Sequence, residues 1–169
     1  MKKISFVFLS FTTVLLAQSE TGKNHFPTHS NYWNTTSSVT QEGAIALMLK
    51  ANELSAISQK KIALAVLNSA GNLILLSVAD GVGPHNALAA QRKAFTALST
   101  KTPTLILSRN AAAHADKVNL NTIPELLLLG GGIPIIKDNM VLGSIGVAGG
   151  GGPEQDHVLT TQIITILNN

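Results

Sequence analysis

From residue 39 onward, apolar and polar positions recur with periods that predict a regular order of elements. Thr40 is placed to cap a helix whose first turn holds Gln41 and Glu42, acids and amides being favoured at the positive helix end. Ile45, Met48, Leu49 and Ile57 mark the expected apolar face of that helix. "KIALAVLNSAGNLILLSVAD" reads as two strands around a Ser69-Ala70-Gly71-Asn72 turn. "PHNALAAQRKAFTALST" predicts a second helix, capped by Asn86 and stopped by Pro103, which disfavours helical backbone in the residue before it. "TLILSRNAAAHADKV" predicts a third, shorter helix. "LLLLGGGIPIIKDNMVLGSIGVAG" offers up to three short strands, the last two joined at Lys137-Asp138-Asn139. Pro153 opens the final helix at the first position, where its missing N–H costs nothing.

The order is therefore helix, two strands, two helices, two or three strands, helix. Tight turns make each strand pair antiparallel, and long parallel crossovers are missing. This predicts an α/β (α+β) fold with a central, mostly antiparallel sheet flanked by helices.

The stretch before residue 39 has a different character. Lys2 and Lys3 precede an apolar run, Ile4 to Ala17, too short to span a membrane comfortably. Ala17-Gln18-Ser19 then places small residues where signal peptidase reads, so residues 1–19 are expected to be a cleaved export signal. The mature protein is expected in the periplasm or secreted, with no stable membrane insertion. Residues 20–38 are polar and aperiodic and read as a flexible leader, with residues 39–169 forming the domain. The leader holds His25 and His29, but Pro27 between them argues against a zinc-binding helix.

Composition narrows the function classes. Removing Lys2 and Lys3 from the 12 basic side chains leaves ten against nine acids, so the mature charge does not attract polyanions. Basic residues are not clustered with aromatics, which leaves nucleic-acid binding unsupported. There is no cysteine, hence no disulfide and no thioether attachment. The sequence also lacks a Gly-x-Ser-x-Gly elbow and a paired His-Glu zinc helix, and so declares no hydrolase and no nucleophile.

The polar chemistry gathers in two stretches. In "ADGVGPHNALAAQRKAF", Asp80 ends a strand, His85 starts a helix, and Arg92 and Lys93 follow two turns on. Loop-borne groups on a rigid scaffold are where sites concentrate. His85 is thus the candidate ligand or metal-binding side chain, with Asp80, Arg92 and Lys93 beside it. In "GVAGGGGPEQD", no lysine or hydroxyl follows the glycines, which excludes a Walker loop. The glycines at 149–152 are expected to serve conformation first and to wall a pocket beside the His85 loop second. Gly150, Gly151 and Glu154 are therefore candidate ligand contacts, and Glu154 and Asp156 are expected to complement the dipole of the last helix.

"LNSAGNLILLSVADG", "AAQRKAFTALS" and "GGGIPIIKDNMVLGSIGVAGGGGPEQD" together resemble the GlcG/HbpS-like proteins, the haem-degrading domain family that also includes the C-terminal domain of PduO. The resemblance runs from about Thr40 to the C-terminus. It implies a profilin-like domain with an antiparallel sheet of about five strands, assembly into symmetric homo-oligomers, and binding or degradation of haem or another tetrapyrrole. Glycolate-related metabolism is a further association of the family. For haem, the available ligands are His85, His114, His157, Met48 and Met140, and the available cations Arg92, Lys93 and Arg109. Without a Cys-x-x-Cys-His motif, covalent attachment of the c type is excluded. Two alternatives stay open at this point: a module for a small organic anion, anchored by His85 with Arg92 or Lys93 as countercharge, and a purely structural oligomer subunit.

Overall fold

A computed structural model describes residues 35–168. The expected export signal, Lys2, Lys3, His25, His29 and most of the leader lie outside the described residues. Four α-helices, four strands and two short 3-10 helices follow the predicted order: α1 (Gln41–Ser58), β1 (Ala63–Asn68), β2 (Leu73–Val78), α2 (His85–Thr100), α3 (Thr104–Ala113), a 3-10 helix (Ala115–Thr122), β3 (Gly132–Lys137), β4 (Met140–Ala148), α4 (Pro153–Ile164) and a last 3-10 turn (Thr165–Asn168). The strands form one sheet, ordered β2-β1-β4-β3, with every pair antiparallel.

Turn chemistry fixes both hairpins. In the first, Asn68 Oδ1 accepts from the backbone N–H of Ala70 and Asn72 at 3.0 and 2.9 Å, and Gly71 takes φ +85°. In the second, Asp138 and Asn139 both have positive φ, +50° and +61°, conformations those two residue types tolerate better than most. Thr40 caps α1 as predicted, its Oγ1 accepting from Gly43 N at 3.1 Å. Asn86 does not cap α2. Its amide instead donates to Gly83 O at 3.1 Å, which ties the preceding loop to the helix.

The two faces of the sheet are covered in different ways. On one face α1 and α4 pack large aliphatics: Leu47, Ile62, Leu64, Val66, Ile135, Ile145, Val147 and Ile163 form the main core. The face of α1 that enters this core is Ala44, Leu47 and Ala51, with Met48 half-buried beside it. The predicted face is thereby corrected, because Ile45, Leu49 and Ile57 are exposed. With aliphatics all round the helix, periodicity did not separate the two sides.

On the other face α2 lies directly on the sheet through small residues. Ala90 and Ala94 meet Ala63, Ala65 and Ala148. Gly146 permits this approach, since a Cβ there would collide with the Ala90 carbonyl and lie 2.7 Å from Ala94 N. On the neighbouring strand Gly132 has the same role, beneath the Lys93 carbonyl.

The sheet has four strands among the described residues, where the resemblance implied about five. Leu126–Leu129, readable as a further strand, is irregular. Its backbone is satisfied by helix side chains instead of a neighbouring strand: Arg92 Nη2 donates to Leu126 O, Leu127 N donates to Thr96 Oγ1, and Thr104 Oγ1 donates to Leu129 O, all within 2.7–2.8 Å. Leu126 and Leu128 then pack against Ala111 in a small satellite core.

Gly146→Val is expected to lower stability by about 1–3 kcal/mol or more, the range for forcing extra volume into a packed contact. Urea unfolding followed by circular dichroism checks this, and Gly43→Ala, where a Cβ meets only side-chain atoms at 3.6 Å, is the control.

Candidate functional site

Lys93 is the largest of the fully buried side chains among the described residues, 1% exposed. It leaves α2 on one side of the sheet and reaches α4 on the other. Its Nζ donates to Asp156 Oδ2 at 2.7 Å and to Val147 O at 3.0 Å. The passage lies beside Gly131, at the edge of β3, where a Cβ would sit 3.2 Å from Nζ and 2.8 Å from Asp156 Cβ. The second carboxylate oxygen of Asp156 accepts from Gly150 N at 2.6 Å. Thr160 closes the network, its one hydroxyl proton lying within donating reach of both Gly131 O and Asp156 O. One buried ion pair therefore joins both helix layers and the glycine loop.

This arrangement corrects two expectations. Lys93 is unavailable as a ligand countercharge, because its ammonium is enclosed and paired. Asp156 is more than a surface acid near a helix dipole, because it holds the loop at Gly150 and neutralises Lys93. Burial decided both, and helix spacing alone left Lys93 free to face either way.

The remaining candidates are not brought together. Asp80 and His85 are exposed, the first in the turn after β2 and the second at the start of α2. The His85 ring folds back over Gly83, where a Cβ would meet it at 2.9 Å. Glu154 sits in the first turn of α4, with both oxygens accepting from Arg109 Nη2 at 2.8–2.9 Å in a solvent-exposed pair. Gly149, Gly151 and Gly152 have φ of +102°, +117° and +142°, which supports the conformational reading of the loop; Gly150 lies outside that region. Gly150 and Glu154 do line a cavity of about 360 Å³ with Lys60, Gln155 and Val158, but His85 does not border it. The two loops touch elsewhere, with Gly149 lying against Val82.

Of the other candidate haem ligands, Met48 packs against the main core, Met140 and His114 are exposed, and His157 is half-buried with an unpartnered Nδ1. Among the described residues, no cluster of three acidic or histidine side chains is arranged to hold a metal ion.

A different concavity includes one predicted residue. Between α2 and the β1–β2 hairpin runs a groove of about 350 Å³, walled by Leu67, Leu73, Leu88, Gln91, Arg92 and Phe95, with Gly71 and Glu125 at its margin. Leu88, Arg92 and Phe95 form one stripe of α2, and His85 is the next position on that stripe toward the N-terminus. Arg92 is partly committed: its Nη2 donates to Pro124 O and Leu126 O at 2.6 and 2.7 Å, while its buried Nε has no partner among the described residues. The lining is chiefly apolar. Leu73, Leu88 and Phe95 are 45%, 59% and 36% exposed, unusual for large apolar side chains placed so close together. Sequence reasoning stopped at the polar residues of α2 and missed this stripe. The spacing 85-88-92-95 was its available signal.

Residues 39–165 match the family described as "Haem degrading protein HbpS-like". The chain belongs to the HbpS-like family. Protein GlcG of Escherichia coli (strain K12) is 28% identical over 115 residues, covering 65% of this chain and 81% of GlcG. A double mutant of Streptomyces reticuli HbpS has a TM-score of 0.77 and 28% identity, covering 83% of this chain and 94% of HbpS. PduOC in its haem complex has a TM-score of 0.70 over 78% of this chain and 96% of PduOC; at 22% identity it shows the shared fold. The four-stranded HbpS-like domain described above is thus a fold also found in a protein crystallised with haem.

Lys93→Met is expected to destabilise the HbpS-like domain by about 3–5 kcal/mol, the cost of leaving a buried carboxylate unpaired. Arg109→Gln, which breaks an exposed pair, is expected to cost under about 1 kcal/mol. Chemical denaturation of both variants at one pH makes the comparison.

Proposed function

We propose that this protein is an exported, homo-oligomeric binder of haem or a related tetrapyrrole, and that the groove between α2 and the β1–β2 hairpin receives the ligand. The observation that carries the reading is the apolar lining of that groove within an HbpS-like domain. A flat macrocycle needs apolar walls more than charge. Leu67, Leu73, Leu88 and Phe95 would supply them, and Arg92 lies on the wall as the nearest guanidinium. His85 is the proposed iron ligand. Its exposed ring lies one turn ahead of Leu88 on the same stripe of α2. Bound haem would supply a redox-active iron, and the proposal extends to slow breakdown of the macrocycle.

The small-anion reading loses support on electrostatic grounds. Its countercharges were Lys93, now enclosed by Asp156, and Arg92, held by two carbonyls, while Glu125 stands at the groove margin. Export is proposed on Lys2, Lys3, the apolar run from Ile4 to Ala17 and Ala17-Gln18-Ser19. Among the described residues no helix is long and apolar enough to cross a membrane.

Titration with haemin is expected to give a saturable shift of the Soret band. Burying a Leu or Phe side chain is worth about 1.5–3 kcal/mol, so Leu88→Asn or Phe95→Asn should each weaken binding roughly ten-fold or more. His85→Ala should change the Soret position with little change in melting temperature. A linear, unsaturable titration would reject the haem reading. Loss of the Soret band under a reductant and oxygen, with release of iron, tests breakdown separately. Intact-mass measurement of natively secreted protein should show residues 1–19 removed, and a retained Met1 would reject cleavage.

A further inference from the structure

On the α1 and α4 side of the sheet, the main core opens into a second concavity. It holds about 750 Å³, against about 350 Å³ for the groove, and shares no residue with it. The space lies between the start of α1, the β3–β4 hairpin and the C-terminal turn. Its walls are aliphatic: Val39, Ile135, Ile136, Leu142, Ile164 and Leu167. All but Ile136 belong to the main core or pack against it. Backbone fixes the wall at Val39, whose N–H donates to Leu142 O at 2.8 Å just past the last pairing of β1 with β4. Gly43 also lines the space. Every other glycine among the described residues has a positive φ or stands where a Cβ would lie within 3.0 Å of another atom. Gly43 has neither constraint: a Cβ there would meet only Thr40 Oγ1 and Val39 Cγ1, at 3.6 Å. Glycine is also a poor helix former. The fold therefore does not require Gly43, whereas the cavity does, because a longer side chain would enter it. The hydroxyls of the wall are already partnered. Ser38 Oγ donates to Leu142 O and accepts from Ser69 N, and Thr40 Oγ1 caps α1. The ammonium of Lys137, exposed at the rim, makes no ion pair among the described residues.

We propose that this cavity binds a long-chain carboxylate, a fatty acid, with its acyl chain among the aliphatic walls and its head group at Lys137. The volume falls within the range of about 300–1,000 Å³ usual for small-molecule sites. A methylene chain needs no hydrogen bond, and walls of this kind leave none to give. The hydroxyls of a sugar or a nucleotide would lose water here without finding partners, which is costly. A single free cation at the rim matches a single negative charge. Asp138, the next residue, makes the rim unsuited to the second charge of a phosphate ester. This site is independent of the haem reading, since the groove of α2 contributes nothing to it.

Calorimetric titration with dodecanoate, on delipidated protein from cells expressing the full chain, tests this. The expected result is saturable binding of one dodecanoate per chain. Affinity should fall about four-fold for each methylene removed, as undecanoate and decanoate replace it. Gly43→Leu fills the cavity from α1 and should weaken binding roughly ten-fold or more, with the circular dichroism spectrum unchanged. Ile136→Asp makes the same test without touching α1, at a side chain already 52% exposed, and covers the case in which the first variant fails to fold. Lys137→Gln should weaken dodecanoate by about two- to five-fold, the scale of an exposed ion pair, and should not weaken dodecyltrimethylammonium, the same chain with a cationic head. Leu88→Asn, in the groove, is the control for location and should leave dodecanoate binding as it was. Absence of saturable binding overturns the proposal. So does binding that survives both Gly43→Leu and Ile136→Asp, or that is lost in Leu88→Asn, which would move the chain to the groove. Dodecyltrimethylammonium binding as tightly as dodecanoate overturns the carboxylate assignment. The haemin titration is read separately, so each of these results leaves the haem reading standing.

Discussion

The fold depends on one buried ion pair. Lys93 and Asp156 come from helices on opposite sides of the sheet and meet at 2.7 Å beside Gly131. Each alone would be an uncompensated charge in an apolar interior, a state that costs several kcal/mol. Together they are satisfied only when α2, α4, the end of β4 and the glycine loop all occupy their places, because Val147 O and Gly150 N complete the coordination. The pair therefore specifies an arrangement more than it adds net stability. Any register in which α2 is rotated, or α4 displaced along its axis, strands a charge. Gly131 and Gly150 are the backbone complement of this pair, since a Cβ at Gly131 would crowd Lys93 Nζ and Asp156 and one at Gly150 would crowd Asp156 Oδ1.

From that constraint follows the unequal covering of the sheet. To bring Lys93 to the edge of β3, α2 must run over β3, β4 and β1, and the small residues Ala90, Ala94, Gly132 and Gly146 let it do so in direct contact. A helix placed there does not cover β2. The outer strand keeps Leu73, Leu76 and Val78 exposed on that side, and the flank of α2 facing them keeps Leu88 and Phe95 exposed. The groove is what remains when a helix is anchored by its far side.

The same geometry sorts the polar residues by task. Arg92, adjacent to Lys93 in sequence, points the other way and fastens Pro124 and Leu126, so the segment between α3 and β3 is held to α2 by a side chain where a strand pairing would otherwise do it. Thr96 and Thr104 do the same for Leu127 and Leu129. Of these residues Arg92 also lines the groove. What faces outward is apolar, with His85 at one end of the stripe, and that chemistry suits a broad hydrophobic ligand better than a small charged one.

The amino-acid sequence was enough for the order of elements, both hairpin turns, the Thr40 cap, the start of α4 at Pro153 and the family. These rest on local rules: which residues accept positive φ, which carbonyls need a cap, where proline is tolerated, and what apolar runs recur with a strand or helix period. Only the folded packing settled which face of α1 is buried, that Leu126–Leu129 has helix side chains as its backbone partners, that Lys93 is enclosed while Arg92 beside it is not, and that an apolar groove lies along β2, separate from the cavity at the glycine loop. Each of these depends on what stands opposite a residue from a distant stretch of chain. A charged side chain at a given helix position has the same local preferences whether it meets water or Asp156, and only the packing of α4 through the gap at Gly131 distinguishes the two.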